Sequence, residues 1–101
     1  MKSIHNKAYR QMLDLLRSKR IEKGVTQEKL ALLIGVAQGV VSKIETHERR
    51  IDVIELREIC NAIGILFVDF VIEFDMLITV LTRKTPSKFK LEYRASSPSS
   101  V

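Results

Sequence analysis

The chain has 101 residues, enough for one small domain, and 46% of them are apolar, enough for a single core and too many for a disordered chain. A single cysteine excludes an intrachain disulfide, no Cys/His spacing suits a metal, and the longest apolar run, Ala62 to Val68, is far short of the roughly 20 residues a bilayer needs. The net charge of +5 is uneven: residues 1–50 carry eleven Lys/Arg against five Asp/Glu, residues 51–82 carry Arg57 against six acids, and residues 83–101 carry five bases against Glu92.

That layout already orients the molecule. A phosphate backbone would attract the first half and repel the middle, so the acidic segment should face away from any nucleic acid. Lys2, His5 and Lys7 interrupt any leader-like run at the N-terminus, which makes the cytoplasm the expected compartment.

In chain order, residues 1–6 read as a frayed start. A first helix is predicted from about Lys7 to Lys23, with Asn6 as N-cap and Gly24 as its stop. Tyr9, Met12, Leu13, Leu16 and Ile21 lie near one stripe, and Arg20 shares that side. A charge on an inward face needs a partner. A second helix begins after Thr26, whose hydroxyl can accept the free N–H of Lys29, while Val25 and Leu30 form a hydrophobic staple. Gly35 ends it after Ile34, because glycine turns left-handed without a Cβ penalty.

A third helix is predicted over about Gln38 to Glu45, with Val41 and Ile44 inward, followed by a polar, basic loop from Thr46 to Ile51. Asp52 and Glu55 then spell a capping box, Ile51 and Leu56 a second staple, and Gly64 a stop. The buried stripe of this fourth helix should be Val53, Leu56, Ile59 and Ile63. Cys60 falls on its apolar side and reads as a buried structural thiol, with a redox or ligand-sensing thiol as the other reading.

Phe67 to Thr82 is apolar almost all round, with Asp69, Glu73 and Asp75 crowded into its first half. The spacing Phe70, Phe74, Leu77, Leu81 fits a helix, although its β-branched content leaves a strand open for the second half. A helix apolar on every side must be covered on every side. A domain this small can cover only one face, so the other, assigned to those four residues, is a candidate self-association surface. From Arg83 the character changes to a flexible basic tail broken by Pro86. Residues 88–94 alternate with period two, as either a half-buried strand or a loose tail would allow, and residues 95–101 are Ser/Pro-rich.

Two short helices joined by a tight turn, the second opening on Ala37, Gln38, Gly39, Ser42 and Lys43, form a helix-turn-helix. Short and amide side chains at that opening suit base edges in the major groove. Here the chain resembles the Cro/phage-repressor class of helix-turn-helix regulators, also called the XRE family, over about residues 13–67. The stretches that carry the likeness are Arg17 to Ala31, Val41-Ser42-Lys43-Ile44-Glu45, Arg49 to Leu56, and Ala62-Ile63-Gly64-Ile65.

The resemblance implies an all-α bundle of four to five short helices and a double-stranded DNA partner. It implies base reading by Gln38, with Gly39, Ser42 and Lys43 at further base-facing positions, Lys43 reaching either guanine or a phosphate. It implies that Gln27 bonds a phosphate and buttresses the recognition helix, that Arg49 and Arg50 grip the backbone, and that Arg17 and Lys19 add to this grip. It also implies a structural ion pair between Arg20 and Glu45. Three departures stand out: Ala37 where Ser or Thr caps the third helix, His47 where the loop commonly has glycine, and Gly39, which has no side chain to read with.

No G-x-G-x-x-G, Walker loop or Ser/His/Asp arrangement appears, and Asp69, Glu73 and Asp75 lack a partner acid or nucleophile, so no enzyme is expected. No cofactor and no small-molecule effector is expected either. The expected function is a transcriptional regulator that binds a pseudo-palindromic operator as a homodimer. The alternative is a protein-interaction module of the same fold, antitoxin-like or coactivator-like, that uses the apolar 67–82 surface.

Overall fold

A computed structural model describes residues 2–82, with side chains from Lys7 to Leu81. Five helices follow one another: α1 (Lys2–Glu22), α2 (Gln27–Ile34), α3 (Gln38–Glu45), α4 (Val53–Ile63) and α5 (Phe67–Thr82). Among the described residues there is no strand, so the strand reading of the second half of α5 falls. No helix among them is long and apolar enough to cross a membrane. Residues 83–101, with the alternating 88–94 segment, lie outside the described residues.

The local signals act as expected at three helix ends. Thr26 Oγ1 accepts the Lys29 N–H at 3.0 Å. Asp52 and Glu55 exchange both bonds of the capping box, at 2.8 and 3.0 Å. Gly35 ends α2 at φ 76°, where a Cβ would be strained. Ala37 gives α3 no side-chain cap bond, as its methyl must. At α1 the expectation fails: the helix begins at Lys2, so Asn6 lies inside it and is no cap. Lys2 to Asn6 contains no proline or glycine to interrupt the helix.

The core joins Leu13 and Leu16 of α1, Leu30 and Ala31 of α2, Val41 and Ile44 of α3, Leu56, Ile59, Cys60 and Ile63 of α4, and Phe70 of α5. Two expected core members are exposed. Ile21 lies one residue, about 100° of helix, round from the buried Arg20, and Val53 opens α4 a turn outside Leu56; they are 57% and 61% exposed. Cys60 is fully buried, and burial pushes its thiol up to about 11, a neutral group packed as part of the core.

Packing sorts the helices into a front and a back. α2 and α3 pack on each other, α2 also on α4, and α1 runs behind against α3, α4 and α5. The partners of α5 are α1 and α4; it touches neither α2 nor α3. Asp69, Glu73 and Asp75 therefore sit on a helix remote from α3.

The loop after α3 is tied down by α1. Tyr9 Oη accepts the Ile51 N–H at 2.8 Å, and the Arg50 guanidinium lies 4.5 Å from the Tyr9 ring centroid. His47 Nε2 lies 3.0 Å from Asp14 Oδ1. His47 takes φ 70°, the one positive value outside glycine among the described residues. A left-handed non-glycine residue costs roughly 1–2 kcal/mol. His47→Gly should therefore be about 1 kcal/mol more stable than His47→Ala in urea denaturation. Both substitutions remove the imidazole, so only the backbone differs; equal stabilities would show that this turn carries no backbone cost.

Candidate nucleic-acid interface

The turn Gly35-Val36-Ala37 delivers the chain into α3 at the surface. Val41 and Ile44 root α3 in the core, while Gln38, Gly39 and Lys43 are exposed and Ser42 is half-buried. The opening of α3 is thus presented outward. A Cβ built on Gly39 would meet nothing within 4 Å, so packing does not require glycine there.

Behind this face runs a continuous chain of polar contacts. Arg20, only 7% exposed, donates from Nε to Glu45 Oε2 at 2.6 Å and from Nη2 to Glu45 Oε1 at 3.0 Å. Its Nη1 donates to the Val25 carbonyl at 2.6 Å. Gln27 Nε2 donates to Glu45 Oε1 at 2.9 Å, and Gln38 Nε2 donates to Gln27 Oε1 at 2.9 Å. Four side chains from three helices thereby link a buried charge in α1 to an exposed amide at the start of α3. Bidentate geometry makes the Arg20–Glu45 contact a strong one.

The other cations divide. Arg17 is more than half exposed, with Nε 3.7 Å from Glu45 Oε1, and so flanks the C-terminal end of α3. Arg49 donates from Nη2 to Glu55 Oε2 at 3.1 Å and from Nη1 to the Arg50 carbonyl at 3.2 Å, and keeps part of its surface. Arg50 is exposed on its Tyr9 support. Lys19 is turned the other way. Its ammonium donates to Glu73 of α5 at 2.7 Å and sits 3.9 Å from Glu22. The Glu73 hydrogen bond raises the lysine's pKa, with burial opposing and the charges of Glu73 and Glu22 adding to the rise. Lys19 thus serves the α1–α5 contact, which corrects its assignment as a phosphate ligand.

The expected seam on α5 also needs correction. Phe70 is 2% exposed and belongs to the protomer's own core. Phe74 and Leu77 are half-buried, and Phe74 packs on that core; of the four, Leu81 alone is exposed. The face left open carries Val68, Val71, Ile72, Met76 and Val80. Two aromatic rings a turn apart offer more area to bury than the aliphatic side does, and α1 and α4 receive them.

The sequence did not point to Tyr9 and Asp14 as supports of the loop. Tyr9 lay in the apolar stripe with no sign that its hydroxyl would take a backbone N–H across the molecule. Asp14 carries no signal in the sequence for its contact with His47, thirty-three residues on.

Comparison with known proteins places this architecture. A family model described as Helix-turn-helix matches residues 16–70, more than half of the chain. The chain is similar to an XRE-family like protein from Pseudomonas syringae pv. tomato str. DC3000, with 41% identity, a TM-score of 0.72, and coverage of 75% of this chain and 93% of that one. It is also similar to the clp gene regulator ClgR from Corynebacterium glutamicum in two structures. One shows 31% identity and a TM-score of 0.61 over 67% of this chain and 88% of that one. The other shows 26% and 0.65 over 86% and 93%. No curated protein matches the sequence significantly. The chain belongs to the XRE family of helix-turn-helix DNA-binding regulators.

Proposed function

We propose that the chain controls transcription by occupying a pseudo-palindromic operator as a homodimer, with α3 of each protomer in the major groove. The observation that carries this reading is the split of α3 into a rooted side, Val41 and Ile44, and an outward opening of Gln38, Gly39 and Lys43. A helix so presented fits a groove about 12 Å wide, where each base pair shows its own pattern of donors and acceptors. Gln38 reads a base, Ser42 and Lys43 add base or phosphate contacts, and Gly39 allows close approach. Gln27, Arg17, Arg49 and Arg50 hold phosphates. Residues 1–66 form the DNA-binding unit, and the open face of α5 joins the protomers, which sets half-sites roughly 34 Å apart.

Selection of bound duplexes from a random pool tests this directly. An inverted repeat should be enriched and bound roughly 10³-fold or more tightly than random duplex. Within the selected site, Gln38→Ala should relax preference at one position, at a cost of about 1–3 kcal/mol there. Arg50→Ala should weaken all duplexes alike and shallow the salt dependence. Equal losses on selected and random DNA for Gln38→Ala would contradict its role as a reader.

The open apolar face of α5 also favours a second reading, in which it docks a different protein and DNA matters little. Such a module would bind duplexes through charge, with salt-dependent affinity and no preferred site.

A further inference from the structure

We infer that the open face of α5 takes a second copy of this chain running antiparallel and centred on Met76, with Asp69 of each protomer paired to the partner's Arg83. This rests on the dimer reading above and deepens it, by fixing the direction of the seam and the charges that select it.

The layout of the face carries the inference. Ile72, Met76 and Val80 are each more than half exposed, and Leu15 of α1 lines the same groove beside them. At about 100° of helix per residue, these three and Asp69 fall within about 80° of one another round α5. Arg83, three residues after Val80, is the next step of the same spacing. The series is symmetric about Met76: Ile72 and Val80 lie four residues to either side, and Asp69 and Arg83 seven. A two-fold axis is what such a series fits, because it sets each residue opposite one fixed partner. With Met76 on the axis of an antiparallel pair, Ile72 meets the partner's Val80 and Asp69 meets the partner's Arg83. Of the other acids, Glu73 is bonded to Lys19, and Asp75 is turned about 100° of helix away from Met76.

Charge decides the direction. Residues 67–75 hold three acids and no base, residues 76–82 hold neither, and Arg83 and Lys84 follow at once. Parallel copies would set acid against acid along the first half of the seam, which opposes association. Antiparallel copies set that acidic half against the neutral half of the partner and the bases beyond it. Burial of Ile72, Met76 and Val80 supplies affinity, and the two end pairs supply orientation. A phosphate is a poor rival for Arg83, because α5 touches neither α2 nor α3 and leads away from the reading helix.

Reversing the charges in the full chain tests this, with sedimentation giving the dimer dissociation constant. Asp69→Arg and Arg83→Asp each set like charges together at both ends of the seam, so each should weaken the dimer about ten-fold. Asp69→Arg combined with Arg83→Asp restores opposite charges across the seam and should return to within about two-fold of wild type. An equimolar mixture of the two single variants should also dimerise, because each then supplies the charge that the other lacks. Circular dichroism confirms that the variants are folded. If Asp69→Arg does not fold, Arg83→Asp against Arg83→Lys decides, since the lysine keeps the charge and should keep the dimer. Single variants that stay within about two-fold of wild type overturn the inference, and so does an Arg83→Asp that loses only affinity for DNA. A double variant as weak as the single ones overturns it as well. A wild-type chain that is monomeric at high micromolar concentration overturns the dimer reading itself, whatever the variants do.

Discussion

Glu45→Ala should cost about 3–5 kcal/mol of folding stability, seen as a melting temperature lower by about 20 °C in circular dichroism. Arg20 is buried, and without Glu45 its guanidinium keeps, among the described residues, only the Val25 carbonyl. A stranded buried charge is far costlier than a lost surface contact. Arg20→Ala should cost less, because Glu45 then still accepts from Gln27 and has Arg17 at 3.7 Å. Against a total stability of about 5–15 kcal/mol for a domain of this size, either loss is large. Replacing both residues together, as in Arg20→Met with Glu45→Leu, should recover most of it, since the interior then holds no unpaired charge. A Glu45→Ala loss below about 1 kcal/mol would mean that water reaches the pair and that it behaves as a surface bridge.

The same pair illustrates how far the sequence reaches. Arg20 on an apolar stripe demands a partner, and the family resemblance names Glu45; the two-oxygen geometry and the chain onward to Gln38 appear only in three dimensions. Thr26, Gly35, Asp52 and Glu55 are legible because each acts on backbone within four residues of itself. Ala37 and His47 are legible as departures, and the missing cap and the positive φ follow from them. Lys19 is not legible. Its fate depends on Glu73, fifty-four residues along the chain, and on α5 lying against α1. Ile21 and Val53 are exposed because an apolar residue near a helix end is buried only if a neighbouring helix extends that far. The buried face of α5 is not legible for a related reason. Where both sides of a helix are apolar, periodicity cannot say which one meets the core.

Two substitutions on α5 separate its faces. Phe70→Ala should cost about 3–5 kcal/mol and leave a cavity among helices α1, α4 and α5, with the chain destabilised at every protein concentration. Met76→Glu should do something different. Met76 is 62% exposed, so its replacement removes little from the protomer core. Its face is already flanked by Asp69, Glu73 and Asp75, and a further carboxylate set against the same face of a second copy adds like charge to a surface that must shed water. Sedimentation should then pass from dimer to monomer. The melting temperature should lose the concentration dependence that mass action gives a dimer. Operator binding should weaken while each half-site keeps its base preferences, because α5 contacts neither α2 nor α3. Met76→Glu that sediments like the wild type, or a wild-type chain that is monomeric at high micromolar concentration, would remove this face from the dimer and leave it to another protein. Phe70→Ala that dissociates a dimer without lowering protomer stability would return the seam to the aromatic stripe.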